Sequence, residues 1–203
     1  MNPRKLTRTG LILLIVLMVV CFSNFTLGAE QAKIQLLWES LAEENYQQAL
    51  QLSIEQGWNN PVYLELASYL SWISFNSSHQ LQRIRQDLYA AQIDASDIES
   101  FLSDMATYLA KESPFYKMAE AIIQFNEYQN KSYAVSLVTE ALREKETALG
   151  FFLQYAFSDD LESMQKAALL SERPGLLKEQ LMFHRYNQEL NERKEVDREQ
   201  FVR

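Results

Sequence analysis

Residues 34–75, IQLLWESLAEENYQQALQLSIEQGWNNPVYLELASYLSWISF, decide how the rest of the chain is read. Ile34, Leu37, Trp38 and Leu41 recur at the 3.6-residue spacing of one helix face. Tyr46, Ala49, Leu50 and Ser53 mark a second such face, and Val62, Leu66, Tyr69, Leu70 and Ile73 a third. Between the second and third lies Gly57-Trp58-Asn59-Asn60-Pro61, where glycine permits a left-handed exit, asparagine can cap, and proline fits the first turn of a new helix. Short helices with one apolar face each, joined so tightly, predict a repeat-like unit that hides that face against its neighbours.

The same pattern continues beyond residue 75. Asn76-Ser77-Ser78 offers an N-cap for a helix with Leu81, Ile84, Leu88 and Ala91 inward. Ser96-x-x-Glu99 has capping-box spacing, ahead of an inner face of Ile98, Phe101, Leu102, Met105 and Leu109. Ser113-Pro114 starts a helix burying Phe115, Met118, Ala119, Ile122 and Phe125, and Asn130 precedes one burying Ala134, Leu137, Val138, Ala141 and Leu142. From Ala148 to Phe157 only Gly150 and Gln154 interrupt the apolar run, so this helix is expected to be surrounded on most sides. Ser158-Asp159-Asp160 introduces a helix with Leu161, Met164 and Ala168 inward, which ends at Arg173-Pro174-Gly175. The last helix, from Leu176 to about Val196, begins apolar and turns charged, as a solvent-facing cap would.

Expected helix starts fall near 31, 45, 61, 79, 97, 114, 131, 146, 159 and 176, so that pairs recur about every 33 residues. Helix pairs with a period in the low thirties are the mark of helical solenoids. Asn45-Tyr46-Gln47-Gln48-Ala49-Leu50, with Leu36 before it and Pro61 after it, resembles a tetratricopeptide repeat. Ala134, Ala141 and Leu142, with Phe125 in the preceding helix, form a second partial match. Leu37 stands where that family has a small residue and Gln56 where it has an alanine; five helix steps separate the two matches, which breaks strict alternation. The resemblance implies an all-α fold, antiparallel hairpins stacked as an irregular TPR-like α-solenoid of about ten helices, used for binding proteins or peptides.

Residues 1–29 read as a signal peptide or an N-terminal membrane anchor. Arg4, Lys5 and Arg8 precede an apolar run from Leu11 to Phe22, and small residues follow around Gly28 and Ala29. Cys21 is preceded by Val20, where a lipidated cysteine would follow a small residue, and its removal with the signal would leave no thiol for a disulfide. Removal also takes the formal net charge from −8 to −11, a surface that repels nucleic-acid phosphates and anionic lipid headgroups. The helical-repeat domain is expected over 30–196, with a charged C-terminal tail at 197–203.

No Gly-rich phosphate loop, Gly-x-Ser-x-Gly elbow or His-Glu-x-x-His zinc motif occurs. His79 follows Ser77-Ser78 in a helix start, where local capping explains it, and His184 lies on the flank of an apolar stripe, as a packed or surface histidine would. The adjacent acids Glu43-Glu44 and Asp159-Asp160 sit at helix ends rather than across a cleft. No catalytic, cofactor or metal-ligating residue is assigned. The suggestive feature is on the third helix, where Glu65, Trp72 and Phe75 lie opposite the main apolar stripe. Rings there predict either packing on a second neighbour or a groove in which Trp72 and Phe75 anchor a peptide, with Glu65 favouring a basic one.

Taken together, the residues predict a non-enzymatic, secreted or periplasmic bacterial adaptor without a cofactor. Its expected partner is another envelope protein or a peptide segment, with no nucleic acid and with a membrane only through an uncleaved N-terminal segment. The competing expectations are a cell-wall enzyme or its helical accessory domain, and a scaffold anchored in the inner membrane.

Overall fold

The structure is a computed structural model that describes residues 28–74, 78–171 and 175–201, with the backbone alone for 191–201. Most of the expected signal or anchor segment, with Cys21, lies outside the described residues, as do Phe75, the Asn76-Ser77 cap and the Arg173-Pro174 break. Among the described residues there is no strand, and no helix is long and apolar enough to cross a membrane. A first helix, α1, covers 28–42. It is followed by α2 (Tyr46–Gln56), α3 (Val62–Ile73), α4 (Ser78–Ala90), α5 (Ala95–Tyr108) and α6 (Pro114–Asn126). Then come α7 (Lys131–Glu144), α8 (Ala148–Ser158), α9 (Leu161–Leu170) and α10 (Gly175–Phe201). From α2 onward every start lies within two residues of its expected place.

Local chemistry explains most of these starts. Ser113 accepts from the Tyr116 N–H at 3.2 Å with Pro114 in the first turn, and Thr147 accepts from the Gly150 N–H at 3.0 Å. The capping box of α5 is not Ser96 with Glu99. Asp94 takes extended backbone and accepts from the Ser96 and Asp97 N–H groups at 2.8 and 3.1 Å, while Asp97 accepts from the Asp94 N–H at 3.0 Å. A carboxylate two residues upstream wins the cap, and the Ser96 hydroxyl donates to it.

Gly57 does not make a left-handed exit, since its φ is −57°. It is required for space: the Leu64 side chain occupies the volume a Cβ would fill. Left-handed backbone appears instead at Glu44, Gln129 and Asp159, with φ of 61°, 51° and 61°. On α9 the buried face is Ser163, Met164 and Ala167, and Leu161 is exposed rather than inward. The last helix runs past Val196 to Phe201, because Asp197-Arg198-Glu199-Gln200 contains no helix breaker.

The helices pair as hairpins, most closely α2 with α3, α6 with α7, and α8 with α9. The hairpins do not simply follow one another. α3 also touches α4, α5, α6, α8 and α10, and it is buried on nearly all sides. Its Tyr63 ring joins Phe101 at 4.9 Å, and Trp38 of α1 lies against Phe101 at 5.4 Å. Six residues further along, Tyr69 meets Phe157 at 5.9 Å, and Phe157 stacks on Phe125 at 4.3 Å. One helix thus contributes a ring to two aromatic clusters, one shared with α1 and α5 and the other with α6 and α8. Side chains also tie it across the chain: the Tyr63 hydroxyl donates to Asp104 at 2.7 Å, and the Ser171 hydroxyl donates to the Ile73 carbonyl.

Candidate functional site

The outer flank of α3 carries Ser68, Tyr69 and Trp72, and three other helices close around it. α8 brings Phe152, Tyr155 and Ala156, α4 brings Arg85, and α10 brings Gln180. Together they line a cleft of about 260 Å³. Trp72, half-buried, lies 5.7 Å from Phe152 at an interplanar angle of 33°, and Phe152 lies 6.2 Å from Tyr155. The Arg85 guanidinium sits over the indole, 5.8 Å from its centroid. The cleft therefore has an aromatic floor, neutral hydrogen-bonding groups on its walls, and one cation.

Sequence reasoning placed Glu65, Trp72 and Phe75 on one face, and the structure separates the first two. Phe75 lies outside the described residues. Trp72 faces α8, so it has a second neighbour and also lines the cleft. Glu65 is 4% exposed and is not in the lining. Its Oε2 atom has no hydrogen-bond partner among the described residues. Burial first, and then the neighbouring Glu127 carboxyl, push the Glu65 carboxyl up to about 9, against a smaller opposing pull from Asn126. At neutral pH it carries no charge to offer a basic peptide. Burial and the nearby Glu65 likewise push the Tyr69 phenol up, and its O–H donates to Asn126 Oδ1 at 3.0 Å.

Arg85, Phe152, Tyr155 and Gln180 were not singled out from the sequence. The missing polar face of α8 signals that Phe152 and Tyr155 meet neighbours, but nothing local marks Arg85 or Gln180. His184 on α10 lies at the edge of this region, its Nε2 3.3 Å from the Tyr155 hydroxyl and 3.4 Å from Gln180 Nε2. His79 is exposed at the start of α4. Of the paired acids, Asp160 caps α9, and Glu44 pairs with Lys145 at 2.6 Å.

A wider hollow of about 600 Å³ lies beside α1 and α2, next to the exposed Trp58. Its charges are satisfied internally: Lys33 pairs with Glu55 at 2.8 Å, and the Asn59 amide donates to Glu30 at 2.7 Å. Among the described residues no group of three or more His, Cys, Asp or Glu side chains converges as a metal site would require. No protein-family model, curated protein or solved structure matches the chain.

Proposed function

We propose that this chain is a non-enzymatic, exported helical-hairpin adaptor of the bacterial envelope, TPR-like in using packed hairpins to present a peptide-binding cleft. The observation that carries the reading is the convergence of Trp72, Phe152 and Tyr155 from two helices on one cleft, beneath Arg85. Rigid rings supply large contact area at small entropic cost and dominate binding energy where they line pockets. At about 260 Å³ the cleft is below the roughly 300–1,000 Å³ of sites that enclose a whole small molecule, and it suits one anchoring side chain. Export is supported by Arg4, Lys5 and Arg8 ahead of the Leu11–Phe22 run.

The test is capture from an envelope extract by the full chain, compared with Trp72→Ala and with Leu169→Ala, a change at an exposed position outside the cleft. Helix content of each variant is checked by circular dichroism. The expected result is loss of the captured partner with Trp72→Ala and retention with Leu169→Ala. Equal capture by a folded Trp72→Ala protein would overturn the reading.

A further inference from the structure

We propose that the cleft takes the free C-terminal residue of a partner chain, its apolar side chain against Trp72 and Phe152 and its α-carboxylate on Arg85. This rests on the cleft being the binding site, and it adds the chemistry of the occupant.

Charge complementarity is the first support. Among the described residues that line the cleft, Arg85 is the only charged one. Arg85 forms no ion pair among the described residues and is held by the Trp72 ring instead. A guanidinium steadied by an aromatic face keeps its fork of N–H donors available for a carboxylate.

Size and reach narrow the carboxylate to a chain end. The cation lies 5.8 Å from the centroid of the ring it covers, and the whole cleft measures about 260 Å³. A terminal residue carries its side chain and its carboxylate on one Cα, so both fit within that span. An acidic residue inside a segment would need room for two side chains and for backbone entering and leaving between α3, α4, α8 and α10.

The test uses the full chain and fluorescein-labelled peptides of sequence Gly-Ser-Gly-Ser-Gly-X, with X as Leu, Val or Phe. Each is made with a free C-terminal carboxylate and as the amide, and a third form carries X-Asp followed by Gly-Ser-amide. Anisotropy titrations are expected to show at least one free-acid peptide binding about tenfold or more tighter than its amide, the scale of one charge-assisted hydrogen-bonded pair. Arg85→Ala, a change on an exposed helix face, is expected to erase that difference, and Arg85→Lys to keep part of it. Equal binding of acid and amide would overturn the terminal-carboxylate assignment while leaving the peptide cleft standing. Tighter binding of the internal-Asp peptide would replace it with an acidic segment. Binding of no peptide alongside Trp72-dependent capture from extract would also overturn it, whereas absence of that capture would remove the cleft reading itself.

Discussion

Glu65 ionises near 4.5 in an unfolded chain but is pushed up to about 9 where burial and Glu127 act on it. The sign follows from which state holds the proton more tightly. The folded state does, so the group's stabilising contribution is fully present below about 4.5 and is lost as pH rises toward 9. Glu65→Gln keeps the shape and removes the titration. In urea unfolding the variant is expected to match the parent near pH 4 and to exceed it at pH 8, by on the order of a few kcal/mol. Parallel stability curves for the two proteins would contradict the buried neutral acid. A second residue-scale prediction concerns Gln129, exposed and held at φ 51°. Left-handed backbone costs a residue with a Cβ about 1–2 kcal/mol, partly offset by the larger unfolded-state freedom of glycine. Gln129→Gly is therefore expected to raise the unfolding midpoint, with a net gain of about 0.5–1 kcal/mol. A lower midpoint would show that the side chain contributes more than the strain. Neither feature is legible in the sequence: Glu65 reads as an exposed acid because its partners lie on α6, and glycine, not glutamine, is the residue that announces a left-handed turn.

The helices themselves were legible, because caps and periodicity act within a dozen residues. Ser113-Pro114 and the apolar spacing from Phe115 to Ile122 need no distant information, and the structure places α6 there. The exceptions are competitions the spacing does not rank, as where Asp94 outbids Ser96 for the α5 cap. The burial of α8 was legible too, since a helix with almost no polar residue has nowhere to meet water. Its closeness to α6 and α7 was not. The Met118 and Leu142 side chains come within 3 Å of where a Cβ on Gly150 would lie. Gly150→Ala forces those side chains to shift, at about 1–3 kcal/mol, against a helix-propensity gain of about 1 kcal/mol, and a net loss of up to about 2 kcal/mol is expected. Thermal unfolding checks this, and an unchanged midpoint would mean that the seam between α6, α7 and α8 is looser than the distances imply. The same limit governs the cleft. Trp72 stood out as a ring on the wrong face of α3, but Arg85 and Gln180 join it only through tertiary packing.

At the scale of the molecule, an all-α chain of about ten short helices was readable, and the way those helices close on one another was not. A period of about 33 residues predicts stacking of each pair on the next. The structure shows hairpin-like pairs but also gives α3 contacts with α4, α5, α6, α8 and α10, and two aromatic clusters meet along it. This matters for the proposed function, because the cleft forms where α8 and α10 return to the flank of α3. In a row of independent repeats each unit opens with its own free energy, whereas a shared central helix can open only when its partners do. Native-state hydrogen exchange on the backbone amides of Leu66 to Ile73 tests this most directly. The expected result is that these amides exchange only through global unfolding, with the same denaturant dependence as those of α6 and α8. Exchange of α3 together with α1 and α2 at a lower free energy, while α6 to α8 stay protected, would contradict a fold organised around that helix.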